Sequence, residues 1–388
     1  MTFKKILAIL LCIFMLSMTA IGCNRDTPED PPFETPPGNE PSVNQPGDFG
    51  SQPYIDFDAA FATFPAETVM FTAGAFEVTW GELFFLLHGN MVALMSSFGM
   101  IPDLNFPATD GRTYAETILD FTVEAAHQYR AFAHGFNELG LTLSEVEQEL
   151  LAYSFDSMVE VAGTEEELLE LLWEHNGIYD LELFRRLLYL DYLPLAVFFG
   201  LFGQDAEQIT DDTAALFTML DGYMMAKHIL LFKGQGDEEA EAALNGIEDI
   251  LALLVEYDGD DFEAFFDELM FEHSDDVGGV RSFPDGYLFQ PNDMETPFYE
   301  ATIQLVAGEL SGIVETAFGY HVILRLPINY DVAPISSAVL GDDTPLRMII
   351  ALEMFDLAVD EWMDLTSPVF SPEFETLDIV ALFTPESD

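Results

Sequence analysis

Few side chains in this sequence are suited to covalent chemistry. The two cysteines, Cys12 and Cys23, both fall within the first 23 residues, so the fold that follows is expected to hold no internal disulfide and no thiolate metal cluster. The histidines are His88, His127, His134, His175, His228, His273 and His321. None stands in a His-Glu-x-x-His pattern or at another ligand spacing, and no metal is expected. The 70 acidic residues include no Asp-x-Asp-x-Asp-Gly loop closed by a Glu at its twelfth position, and therefore no dedicated calcium loop. Gly-rich phosphate loops and nucleophile elbows are also missing. By type alone, His228 and His321 read as satisfied histidines near strand starts, and Met294 and Phe298 as core. Any chemistry must come from the elements that bring such residues together.

Those elements change character along the chain. Thr68–Thr72 and Phe76–Val78 predict two short strands around Ala73-Gly74. Thr79 with Glu82 makes a capping box for a helix through the Leu83–Leu87 run. Thr142 and Glu145 open another, whose apolar face carries Val146, Leu150 and Tyr153. Thr164 and Glu167 open a third, carrying Leu168, Leu171 and Leu172, that stops at Gly177. Leu181–Tyr192 follows, ended by Pro194. From Met224 the pattern is mixed: Met224–Phe232 is strand-like, Glu238–Tyr257 and Phe262–Phe271 are helical, and Val322–Leu326 is a strand. Helix returns after Pro327, with Thr344-Pro345 as N-cap and N1 of a long helix over Leu346–Leu365. The expected class is α+β, a small antiparallel sheet flanked by helices and inserted at 221–330 into a mainly helical body of 56–220 plus 331–388.

The insert resembles the parvulin family of peptidyl-prolyl isomerases. The pieces that carry the resemblance stand in the family's order: Ala226-Lys227-His228-Ile229-Leu230-Leu231, His273-Ser274-Asp275-Asp276 with Gly278-Gly279, Met294 with Pro297-Phe298-Tyr299-Glu300-Ala301, Gly308-Glu309-Leu310-Ser311, and Val314-Glu315-Thr316-Ala317-Phe318-Gly319-Tyr320-His321-Val322-Ile323. The resemblance implies that His228 and His321 form a hydrogen-bonded pair oriented by Thr316 and Asp276. It also implies that Met294 and Phe298 grip the proline ring, with Leu288 or Phe289 completing the wall. A supporting role for the imidazole network is preferred over direct polarisation of the amide, and no cofactor is implied. Where many members read Gly-Asp-Leu-Gly-Trp-Phe, this chain reads Arg281-Ser282-Phe283-Pro284-Asp285-Gly286-Tyr287-Leu288-Phe289, so that wall differs. Ile303 replaces a usual aromatic. Lys233 is followed by Gly234-Gln235-Gly236-Asp237-Glu238-Glu239, where phosphate-directed members carry a basic loop, so phosphorylated substrates would meet carboxylates.

The first residues say where such a protein would work. Lys4 and Lys5 precede the apolar run Ile6–Met18, too short for a membrane span. Ala20-Ile21-Gly22-Cys23 resembles the lipobox of bacterial lipoproteins, with Ala20 where Leu is usual. That resemblance implies a signal peptide over 1–22, a lipid on Cys23 and residence on the outer face of the cell membrane, anchored by buried acyl chains. The Pro-, Gly- and acid-rich stretch over 23–55 cannot bury enough apolar area to order itself and reads as a tether. Together with the insert, this layout is similar to the PrsA-type foldase lipoproteins, in which the helical segments form one client-binding body.

Composition fits that assignment. A net charge of −58, from 70 acidic and 12 basic residues, repels nucleic acid. The 35 Phe and 16 Met suit either a greasy client cleft or a Phe-rich core. The expected partners are unfolded secreted polypeptides containing X-Pro bonds and the membrane through its anchor, with homodimerisation left open. The alternatives are a catalytically silent holdase that keeps the fold as a scaffold, and a surface lipoprotein for adhesion or solute capture.

Overall fold

The structure is a computed structural model that describes residues 56–98, 101–108, 111–338, 341 and 343–383. Cys23, the signal segment and the tether lie outside the described residues. The chain divides into two compact units: the described residues up to Leu201 with those from Phe355 onward, and Phe202–Met354.

The first unit opens with helix α1 (Phe57–Thr63) and a hairpin of β1 (Val69–Ala73) and β2 (Phe76–Thr79). A later strand, β7 (Pro368–Phe370), pairs antiparallel with β1, giving the order β2-β1-β7. The long helices are α2 (Trp80–Phe98), α3 (Tyr114–Glu138), α4 (Glu145–Ala162), α5 (Glu165–Asn176) and α6 (Leu181–Phe202). Met70, Phe71, Trp80, Leu83 and Phe84 are wholly buried where the hairpin meets α2, each worth about 1.5–3 kcal/mol over an exposed position. Glu82 is buried there too. It accepts from Arg130 at 2.6 Å and lies 3.1 Å from Arg186, so α2, α3 and α6 share one compensated charge cluster.

Three local expectations are corrected. The helix expected to end at Pro194 continues to Phe202; the missing N–H costs one helical bond, but Leu193 and Val197 beside it are fully buried. The N-cap of α4 is Ser144, paired with Glu147, two residues beyond the Thr142–Glu145 pair. The α4 face expected to pack is the exposed one: Val146, Leu150 and Tyr153 are 65%, 51% and 71% exposed. The helix instead buries Phe155, with Met158, Val159 and Ala162 alongside. It carries two apolar stripes, and periodicity alone does not say which meets a neighbour.

The second unit holds α7 (Asp211–Asp221), β3 (Met224–Phe232), α8 (Asp237–Glu256), α9 (Phe262–His273), α10 (Val277–Ser282), β4 (Tyr287–Phe289), α11 (Thr296–Ile303), β5 (Val314–Glu315), β6 (Gly319–Leu326) and α12 (Ile335–Ala338). Its four strands form an antiparallel sheet in the order β4-β3-β6-β5. Period-two alternation splits β3 between the two faces. Lys227 points to α9, where its buried Nζ donates to Glu263 and Asp267 at 2.8 and 2.9 Å. Burial opposes that charge, but the two carboxylates hold its pKa above the ordinary lysine value. Ala226 and Met224 face the other way and share a core with Tyr287, Phe289, Phe298 and Ile323. Helix α13 (Leu346–Leu365) belongs to the second unit up to Met354 and to the first beyond it. In the first, Phe355 stacks on Phe132 of α3 and Trp362 donates to Glu138.

Candidate active site

His228 lies on β3 opposite Ile323, and His321 on β6 opposite Leu230. The two histidines are therefore diagonal neighbours on one face of adjacent antiparallel strands, where side chains reach each other. Their rings stack at 5.2 Å with 18° between planes, and the two Nδ1 atoms are 3.0 Å apart. Both are buried, at 6% and 3% exposure.

Their outer nitrogens are held at both ends. Asp276 stands at the N-cap of α10, where its Oδ1 accepts from Gly279 N–H at 3.1 Å. Its Oδ2 lies 3.2 Å from His228 Nε2 and accepts from the Tyr287 hydroxyl at 2.6 Å. The His228 hydrogen bond holds the Asp276 carboxyl well below the usual carboxylate range against the opposing pull of burial, and Tyr287 and Gly279 add to it. At the other end Thr316 Oγ1 lies 2.8 Å from His321 Nε2 and accepts from Phe318 N–H. Lys233 secures that loop by donating to the Thr316 carbonyl at 2.8 Å and to Glu315 at 3.2 Å.

These contacts fix one proton. An ionised Asp276 only accepts, so the His228 nitrogen that faces it, Nε2, carries a proton. One of the two Nδ1 atoms donates to the other, and His321 Nε2 shares the next hydrogen bond with the Thr316 hydroxyl. Burial, aided by His228 and opposed by Asp276, pushes His321 down to about 3, which keeps it neutral. The result is a continuous chain of hydrogen bonds from Thr316 through His321 and His228 to Asp276. No nucleophile or base is left free in it. Among the described residues no group of three or more His, Cys, Asp or Glu is placed to hold a metal.

Phe298, on α11, meets both imidazoles edge-on at 5.3 and 5.5 Å and is backed by Phe289 at 5.7 Å. It is 3% exposed. Met294 is half-buried against the same cluster, as is Ile335 from α12. Of the expected residues, then, the structure brings together His228, Asp276, Thr316, His321, Met294, Phe298 and Phe289. Leu288 is not among them. It pairs with Met225 and so points to the opposite face from Tyr287 and Phe289, in a three-residue strand where one step reverses the side. Sequence reasoning missed Tyr287. Its signal was the preceding Gly286, whose φ of +108° suits glycine and where a Cβ would stand 3.1 Å from the Ala226 carbonyl. That close approach carries the tyrosine ring onto the site.

The family model described as the PPIC-type PPIASE domain matches residues 217–325. Foldase protein PrsA of Oceanobacillus iheyensis is 31% identical over 120 residues, which are 31% of this chain and 35% of that protein. Foldase protein PrsA of Bacillus subtilis is 30% identical over 140 residues, and the chain spans 42% of its length. Peptidyl-prolyl cis-trans isomerase Pin1 of Malus domestica is 36% identical over 111 residues, which are 26% of this chain and 90% of that protein. Among solved structures, that of PrsA from Bacillus subtilis aligns with 81% of this chain and 94% of its own at 17% identity and a TM-score of 0.23.

Proposed function

Because this chain belongs to the PPIC-type peptidyl-prolyl isomerase family through residues 217–325, we propose that it catalyses cis–trans isomerisation of X-Pro bonds in unfolded secreted polypeptides. The uncatalysed rotation crosses a barrier of roughly 18–20 kcal/mol and takes tens to hundreds of seconds. No bond breaks, so the site needs no nucleophile, only a better fit to the twisted amide than to either planar form. Twisting removes amide resonance and its charge separation, which a dry apolar surface favours. Phe298 and Met294 would supply that surface, and the hydrogen-bonded imidazole pair beneath would hold it rigid. The single observation that carries the reading is the His228–His321 stack, held at both ends and set edge-on against Phe298. A protease-coupled prolyl-peptide assay on the whole chain checks it: a rate above background is expected, and a folded sample without one would refute the enzymatic claim.

The proposal extends to the rest of the chain as a foldase. The helical unit would hold clients, and a lipid on Cys23 would keep the protein on the outer face of the cell membrane. Replacement of Cys23 by Ser is expected to release the protein from the membrane fraction. A silent holdase is the second reading, favoured by the near-complete burial of Phe298 and by Leu288 facing away from the site. It predicts that His228→Ala with His321→Ala leaves aggregation suppression at the wild-type level while no form of the protein turns over prolyl peptides.

A further inference from the structure

Tyr287 reaches the site from β4, whose other members, Leu288 and Phe289, are apolar and buried. Its hydroxyl donates to Asp276 Oδ2 at 2.6 Å, the same oxygen that takes the His228 Nε2 proton at 3.2 Å. The ring is itself fixed, edge-on to His228 at 5.2 Å and packed on Phe283 at 5.2 Å. The backbone leaves room for this contact at one point: a Cβ on Gly279 would stand 1.9 Å from the Tyr287 hydroxyl and 2.4 Å from Asp276 Oδ2. A larger residue there would force the two apart. Glycine at 279 and tyrosine at 287 therefore form one device, the first making the space that the second fills.

We infer that Tyr287 is a positioning residue: its hydroxyl pins the Asp276 carboxylate so that Oδ2 meets His228, and thereby holds the imidazole pair in register as far as Thr316. An anionic acceptor with three donors has one stable orientation. With two, Oδ2 is held by the longer His228 contact alone, and His228 Nε2 loses the fixed placement of its acceptor. The titratable groups in contact with Asp276 are His228 from β3 and Tyr287 from β4, with His321 from β6 behind His228; from α10 only the Gly279 N–H reaches it. Burial and the adjacent Asp276 push the Tyr287 hydroxyl far above its ordinary value, so it stays a donor throughout.

The test is Tyr287→Phe in the whole chain, which keeps the ring and removes the donor. The inference rests on the isomerase reading for its kinetic arm alone. There, kcat/KM is expected to fall about tenfold, mainly in kcat. The acid limb of its pH profile is expected to move upward, because Asp276 loses a hydrogen bond that favours its anion. Independently of turnover, the His228 Nε2–H signal in the imidazole ¹⁵N spectrum is expected to shift and broaden as its hydrogen bond to Asp276 loosens. Gly279→Ala is expected to reproduce that spectral change with the tyrosine still present, and it decides the matter should Tyr287→Phe fail to fold. Wild-type imidazole spectra in the variants would overturn the inference, as would an unshifted acid limb. A wild-type protein without isomerase activity would defeat the enzymatic reading and leave the spectra to judge Tyr287.

Discussion

His88 in the helical unit and His321 in the inserted one are the same side chain under nearly the same burial, 5% and 3% exposed. Burial is the leading cause that pushes them down to about 4 and about 3, so both stay neutral at pH 7. Their surroundings differ. His88 lies against the rings of Phe57 at 5.4 Å and Phe84 at 6.4 Å, inside an aromatic core. His321 has a polar partner at each nitrogen, and its chain of bonds ends on Asp276, whose side chain is 30% exposed. Burial thus makes a histidine neutral, and ordered partners running out toward solvent make it part of a site.

The two units also hold a carboxylate by different means, and the largest expected effect lies there. Glu82 is compensated by charge, with Arg130 at 2.6 Å and Arg186 at 3.1 Å, whereas Asp276 is held by His228, Tyr287 and the Gly279 N–H. Glu82→Ala strands the buried Arg130 and is expected to cost about 3–5 kcal/mol, read as a lowered urea midpoint. Asp276→Asn keeps the cap position and an amide that still accepts hydrogen bonds, so about 1–2 kcal/mol is expected, with the damage falling on turnover. Equal stability losses from the two substitutions would break the contrast between a structural ion cluster and a functional chain.

The sequence made the strands and the site legible for different reasons. His228 and His321, 93 residues apart, were placed together by the order of the insert's motif pieces and by no property of either residue alone. Strands β1 and β2, the Thr164 cap and the long helix from Leu346 followed from local rules that tertiary packing did not override. At Thr79 only half of the expected capping box forms: Glu82 accepts from the Thr79 N–H, while the buried hydroxyl caps nothing. Strand β7 was invisible, since Pro368-Val369-Phe370 is too short to show a period and gains its identity from β1. Leu288 and Tyr287 were exchanged in importance because side chains alternate, so a one-residue uncertainty in β4 turns the wall inside out. On α4 the period was read correctly and the packed face wrongly, because its two apolar stripes are equivalent until neighbours arrive.

A mid-sized effect sharpens the comparison of the histidines. The folded pKa of His88 is below its unfolded value of 6.5, so the unfolded state binds more protons between about pH 6.5 and 4. The stability held by the neutral ring is present above pH 6.5 and is lost as pH falls through that window. It amounts at most to roughly 3 kcal/mol when fully titrated. His88→Leu is expected to melt with a flatter pH dependence from 6.5 to 4 while its prolyl-isomerase rate stays at the wild-type level. A slope equal to the wild type's would mean that His88 is not the group that senses the acid. A lost isomerase rate would mean that the two histidines are less distinct than their neighbours suggest.

The smallest stability effect is expected where α4 turns its spare apolar stripe to solvent. Leu150→Lys with Tyr153→Lys touches side chains 51% and 71% exposed, and such surface changes stay within about 0.5 kcal/mol each. Phe155→Ala, one turn away and 2% exposed, would by contrast empty a core site at about 3–5 kcal/mol. If the stripe serves clients, as the foldase proposal holds, the lysine pair should melt like the wild type yet suppress aggregation of an unfolded substrate less well, with its prolyl-peptide rate intact. A helix that folds by one stripe and works by the other needs both, and so shows two apolar periods where folding alone requires one. Full aggregation suppression by the lysine pair would remove α4 from the client surface and leave its second stripe without a function.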